Sequence, residues 1–119
     1  IARKWGRIIN VSSMWGQVGA SCEVLYSSTK GAVDAFTKAA AKELVYSGIT
    51  VNAVSPGVVD TDMFSALGED TAREVVTDIP LGRPLRPEEI ALWVSHFAAN
   101  EAEAVTGQIL GINGGMEIH

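Results

Sequence analysis

The sequence predicts an α/β chain built as a doubly wound parallel sheet, and three observations predict it. Two β-branched runs read as buried strands: Arg7 to Ser12 (RIINVS), which follows Gly6, and Thr50 to Ser55 (TVNAVS), closed by Pro56-Gly57. A proline-free stretch rich in Ala, Lys and Glu separates them. A second stretch of helical periodicity then precedes a last short run, Gln108 to Asn113. Strand, helix, strand, helix, strand implies parallel strands with helices on both faces, because such crossovers are right-handed.

Each element has its own signal. Tyr26 to Tyr46 is predicted as the long helix, with Gly48 placed for a left-handed cap. Its apolar positions fall on two stripes, Val33, Phe36, Ala40 and Leu44 on one and Ala32, Ala35 and Ala39 beside it. A bulky stripe next to a small one predicts cover by a sheet and by a close partner helix. Asp62 to Asp78 is weakly helical, interrupted by Gly68, and is expected to be a mobile flap carrying Met63, Phe64 and Leu67. The proline-rich run from Pro80 leads into a helix with Pro87 at its first position and Glu88 and Glu89 in its first turn. Ile90, Trp93, Val94 and Phe97 supply that helix's apolar face, and Gly114-Gly115 ends the last strand.

Composition narrows the function classes. A length of 119 residues with 47% hydrophobic content supports one core and not two domains. Nine basic against fourteen acidic residues leave a net charge of -5, which argues against nucleic acid and anionic membrane surfaces as partners. Cys22 stands alone, and no leader-like segment or long apolar run occurs, so a reducing, cytoplasmic setting is expected. Asn10-Val11-Ser12 matches a glycosylation acceptor inside a run expected to be buried, and is read as chance. His96 and His119 have no ligand partner at useful spacing, so no metal site is expected. Trp5, Trp15 and Trp93 read as packing groups, with Met14 and Trp15 also placed to line a pocket after Ser13. The chain opens without Met almost directly into a strand, and the expectation is a piece of a longer polypeptide.

Tyr26 and Lys30 carry the chemistry. They are four apart on one helix and share a face, and an ammonium beside a phenol favours the phenolate, which suits acid and base work. Taken alone such a pair is common on helix surfaces. Ser12 and Ser13, however, end the first strand at the carboxyl edge, where open α/β sheets place ligands, and Tyr26 follows Ser13 by 13 positions.

With these residues in hand, the sequence resembles the short-chain dehydrogenase/reductase family. The matching segments are Gly6 to Ser13, Tyr26-Ser27-Ser28-Thr29-Lys30, Val51-Asn52-Ala53-Val54-Ser55-Pro56-Gly57, and Thr106-Gly107-Gln108 through Gly114-Gly115. The resemblance implies a Rossmann-type, NAD(P)-binding fold of which residues 1–119 would be the C-terminal catalytic half, a single partial domain. It further implies hydride transfer between NAD or NADP and a carbonyl or secondary alcohol. Tyr26 would be the general acid or base, Lys30 would hold the nicotinamide ribose and stabilise the phenolate, and Ser13 would donate to the substrate oxygen. Pro56 and Gly57 would let the backbone pass close to the nicotinamide, with the Val59 main chain and the Thr61 hydroxyl holding its carboxamide and a nearby phosphate. Homo-oligomers are the family expectation.

The departures from the family pattern matter equally. No glycine-rich phosphate turn occurs, and the family's active-site Asn has no counterpart, since Asn10 and Asn52 lie within strands. Among subfamilies, Gly48 to Asn52, Thr61-Asp62-Met63 and Asn113-Gly114-Gly115-Met116 look most like 3-oxoacyl-[acyl-carrier-protein] reductases, which implies an acyl thioester substrate. Ser47 stands where carrier-dependent members tend to place a basic residue, and sugar or polyol dehydrogenases share most of the pattern. Two rival readings remain. One is a non-catalytic, self-associating fragment without a dinucleotide site. The other, an acyl-enzyme hydrolase through Ser27-Ser28-Thr29-Lys30, lacks the companion S-D-N and K-T-G motifs.

Overall fold

A computed structural model describes residues 4–14 and 24–118. Three strands, β1 (Gly6–Val11), β2 (Ile49–Pro56) and β3 (Ile109–Ile112), form a parallel sheet in the order β1-β2-β3. The chain is therefore of the predicted α/β class, and each strand lies within two residues of its expected ends. The register pairs Gly6 with Ile49 through Val11 with Val54, and Ala53 with Ile109 through Pro56 with Ile112. β2 is the middle strand, buried from Ile49 to Ser55.

Four helices accompany the strands among the described residues: α1 (Val24–Leu44), α2 (Asp62–Ser65), α3 (Glu69–Thr77) and α4 (Pro87–Ala98). α1 tightens into a 3-10 turn over Val45–Ser47, and Gly48 then adopts φ +71. A side chain at Gly48 would also meet the Lys4 carbonyl oxygen at 2.2 Å, so only glycine fits there. Strand parity places the helices. Asn10 reaches α1, its amide donating to the Thr37 hydroxyl at 2.9 Å. Arg7, of opposite parity, donates to the carbonyls of Ala99 and Asn100 just beyond α4. α1 and α4 thus lie on opposite faces. The strands advance in one direction, β1-β2-β3, so two right-handed crossovers would have put both helices on one face; one of the two connections therefore has the rarer hand, which departs from the crossover rule used to read the sequence.

The expected stripe of α1 is met in part: Ala40 and Leu44 pack against the core beside Ala41, but the most buried line is displaced from it. Asp34, Thr37 and Ala41 are its buried residues, with Ala41 packed on Ile49 and Val51, whereas Phe36 is 60% exposed. The cause is polar pairing: Thr37 accepts from Asn10 and donates to the Val33 carbonyl at 2.8 Å, so a hydroxyl is accommodated where hydrophobicity predicted an apolar residue. Ala32, Ala35 and Ala39 face outward with Phe36, uncovered by any described helix. Trp5 is half-exposed, its ring carrying the Arg7 guanidinium at 4.8 Å, and Trp93 lies 5.1 Å from the His96 ring. Cys22, Trp15 and His119 lie outside the described residues.

The stretch expected as one flap is two short helices, separated at Gly68 (φ +86). Thr61 caps α2 by accepting from the Phe64 N–H. A bridge between Val59 and Leu85 closes the base of this excursion, with Asp60 N donating to Leu85 O at 2.7 Å and Leu85 N to Val58 O at 2.8 Å. Beyond it, the Glu89 carboxylate accepts two bonds from Arg83, at 2.7 and 3.0 Å, and one from the Arg86 N–H at 2.8 Å. This charged fork draws the Glu89 carboxyl down to about 2 from the usual carboxylate value.

Two predictions follow from this packing. Asn52 is fully buried, its amide donating to Val105 O at 2.9 Å and its carbonyl accepting from Gln108 N at 3.0 Å. Asn52→Ala strands both backbone groups and is expected to cost roughly 2–4 kcal/mol, read as a lower urea midpoint at unchanged m-value. Glu89 has a folded pKa below its unfolded one, so its contribution is present above the ordinary carboxylate range and lost as pH falls toward about 2. Wild-type stability should therefore fall more steeply between pH 4.5 and 2 than that of Glu89→Gln, and superimposable pH curves would contradict the fork's role.

Candidate active site

The site lies at the carboxyl edge of the parallel sheet, where the ends of β1 and β2 open side by side. β1 hands over to Ser12, Ser13 and Met14, which are 4%, 8% and 2% exposed. Ser12 continues the ladder, its N–H donating to Val54 O at 2.8 Å, and its hydroxyl reaches Lys30 O at 3.3 Å. The first turns of α1 are in this way tied to the strand end that carries Ser13.

Tyr26 is the third residue of α1 and is 44% exposed, which leaves its ring accessible at the edge. Lys30 follows one turn later. Its ammonium donates to Val11 O at 3.3 Å and stands 5.7 Å from the centroid of the Tyr26 ring. The predicted pair therefore shares a face, and the cation occupies the space between the tyrosine ring and the last residue of β1. Among the described residues Val11 uses one of the three ammonium donors.

Pro56 ends β2, and Gly57 N donates to Ile112 O at 2.9 Å. Gly57 is confined by its neighbours: a side chain there would begin 2.9 Å from Asn113 Cβ, 3.0 Å from Asn113 Cα and 3.3 Å from Met14 Sδ. Close backbone approach was expected at Gly57, and the structure supplies a reason inside the protein itself, which is the turn after β3. Asn113 is 6% exposed and shapes that turn, its side chain accepting from Gly115 N at 3.0 Å and donating to Glu117 O at 3.1 Å.

Gly57, Val59 and Thr61 line one cleft of about 510 Å³, together with Val58, Phe64 and Met116. The bridge at the flap base uses Val58 O and Asp60 N, so the N–H and C=O of Val59 itself are not consumed by it. The Thr61 hydroxyl accepts from Phe64 N, which keeps its own proton for donation.

The sequence-predicted residues thus fall into two adjoining groups. Ser13, Tyr26 and Lys30 gather around the end of β1, and Pro56, Gly57, Val59 and Thr61 run along the end of β2 and the start of the flap. Met14, touching the Gly57 position, joins them. The cleft's described lining does not include Tyr26 or Lys30. Trp15, expected beside the pocket, lies outside the described residues. Sequence reasoning named Asn113 and Met116 only within a subfamily motif and gave neither a place in the site, because their nearness to Gly57 arises only from β2–β3 pairing. The groups present suit half of a dinucleotide: a cation at Lys30, main-chain polar groups at Val59 that the bridge does not consume and a donor at Thr61.

A family model described as enoyl-(acyl carrier protein) reductase matches residues 1–117. The chain is 51% identical over 115 residues to the uncharacterized oxidoreductase YmfI of Bacillus subtilis, covering 97% of this chain and 48% of that protein. It is 46% identical over 114 residues to nodulation protein G of Azospirillum brasilense, covering 96% and 46%. It is 43% identical over 116 residues to the 3-oxoacyl-[acyl-carrier-protein] reductase FabG of Aquifex aeolicus, covering 98% and 47%. The chain spans about half the length of the curated relatives it matches. Matched almost end to end by a family model and by such relatives, the chain belongs to the short-chain dehydrogenase/reductase family.

Proposed function

We propose that this chain is the catalytic half of an NAD(P)-dependent oxidoreductase that interconverts a carbonyl and a secondary alcohol. The observation that carries the reading is the Lys30 ammonium, held by Val11 O and 5.7 Å from the Tyr26 ring, at the strand end that leads into the buried Ser13. A bound nicotinamide would supply the hydride. Lys30 would hold its ribose hydroxyls, and Val59 main chain and Thr61 its carboxamide and a phosphate oxygen.

The protein's own part is to place a substrate oxygen and move one proton. In reduction, Tyr26 donates its phenolic proton to the substrate oxygen as the carbonyl carbon accepts the hydride. The phenolate left behind is stabilised by the Lys30 charge, and Ser13 donates a hydrogen bond that fixes the substrate oxygen. In oxidation the phenolate takes the hydroxyl proton and the same contacts serve in reverse.

A 3-oxoacyl thioester is the substrate class we favour, on the likeness to proteins named 3-oxoacyl-[acyl-carrier-protein] reductase and acetoacetyl-CoA reductase. No described helix is long and apolar enough to cross a membrane. A homo-oligomer acting in the cytoplasm completes the reading.

A second reading concerns residues 1–119 in isolation. β1 is the edge of the described sheet, and Ile8 and Val11 are 39% and 55% exposed on it. Such an edge recruits further strands, so the isolated chain would self-associate and turn over little substrate.

Two measurements test these readings. In the complete polypeptide, Tyr26→Phe should lower kcat/KM for acetoacetyl thioester reduction by about 10²- to 10⁴-fold with the fold intact. Ser13→Ala should lower kcat, and Lys30→Ala should also raise the cofactor KM. Undiminished turnover in Tyr26→Phe would end the proposal. Light scattering on the isolated chain should show an oligomer, and a monomer would contradict the second reading.

A further inference from the structure

The geometry points to Met116 as a specificity-determining residue, the fixed wall of a subsite that receives the hydrocarbon chain of the carbonyl substrate. This rests on the oxidoreductase reading above and names which substrates that site would prefer.

The cleft beyond Gly57 offers mostly hydrocarbon. Val58, Phe64, Leu67, Val75 and Met116 face it, and Thr61 and Asp78 are its polar side chains among the described lining. A sugar or polyol seated there would press several hydroxyls against side chains that cannot bond them, and each unpaired hydroxyl is costly. An unbranched acyl chain has no such requirement, and a concave apolar cleft of about 510 Å³ is of ligand-binding size.

The walls are not equivalent. Phe64, Leu67 and Val75 ride on the short helices α2 and α3 and on the turn between them. Met116 is anchored from several directions. Its N–H donates to Asn113 O at 3.3 Å, and the Asn113 side chain grips Gly115 and Glu117 on either side of it. Leu81 N donates to Gly114 O at 3.0 Å, and a side chain at Gly114 would begin 3.1 Å from Ile79 and Leu81. The turn is thereby wedged between the flap's end and Gly57. A flexible thioether on this fixed backbone can fit a chain closely, and changing it alters the space available while Tyr26, Lys30 and Ser13 stay where they are.

The test uses the complete polypeptide and a series of 3-oxoacyl thioesters from acetoacetyl to 3-oxododecanoyl, with kcat/KM measured for wild type, Met116→Trp and Met116→Ala. Met116→Trp should cut the long-chain to short-chain ratio by about tenfold or more, and Met116→Ala should raise it. A ratio within about twofold of wild type in both variants overturns the inference while leaving the oxidoreductase reading standing. A wild-type protein that reduces none of the thioesters overturns the thioester reading, and the acyl subsite with it.

Discussion

The parallel pairing of β1 with β2 is the constraint on which the rest of the site depends. Because Val11 pairs with Val54, both strands run out at the same edge, and Ser13 and Gly57 emerge from it together. A parallel pair also obliges the intervening chain to return along one face, and α1 is that return. Its amino end must therefore arrive above the edge where β1 finishes. Tyr26 and Lys30 occupy its first two turns, so the topology alone delivers a phenol and an ammonium to the place where the serine is presented. Two polar contacts fix the last few ångströms, Ser12 Oγ to Lys30 O and Lys30 Nζ to Val11 O. The second contact makes the strand's terminal carbonyl a positioning group for the cation, which directs the ammonium over the tyrosine ring.

How much of this was legible in the sequence depends on how local each feature is. Tyr26 and Lys30 needed only helical spacing, and the ends of β2 were marked by a β-branched run closing on Pro56-Gly57. The buried face of α1 was read only in part, Ala40 and Leu44 packing on the core as expected, because hydrophobicity is a poor guide where polar groups satisfy one another: Thr37 is wholly buried and Phe36 is not. Thr37 pairs with Asn10, a residue 27 positions away, and no window along the helix can reveal that. The place of Met116 in the cleft was invisible for a similar reason. Its neighbours in the cleft come from residues 57–78, brought there by sheet pairing and by the close packing of Asn113 on Gly57.

The flap and the C-terminal turn act as one mechanical unit. The Val59–Leu85 bridge closes the excursion at its base, and the Leu81 to Gly114 bond fastens its returning limb to the turn after β3. The Arg83–Glu89 fork then holds the start of α4 close to this junction. Movement in α2 and α3 is thus bounded on both sides by segments that are themselves tied to the sheet.

The polar residues buried within β2 complete this chain of cause. A strand covered on both faces usually reads as continuous hydrocarbon, yet Thr50, Asn52 and Ser55 interrupt this one. Asn52 serves the connection and not the chemistry. By holding Val105 O and Gln108 N it fixes where the loop ends and β3 begins, and so sets Ala53 opposite Ile109. Thr106 adds a second pin, its hydroxyl accepting from Val51 N at 3.0 Å. A slip of one residue in β3 would turn every side chain on it to the other face. Asn113 would then no longer meet Gly57, and Met116 would leave the cleft. An asparagine buried four residues before Pro56 thereby governs the shape of the site from within the sheet, because the register it imposes decides which residue of the last turn reaches Gly57.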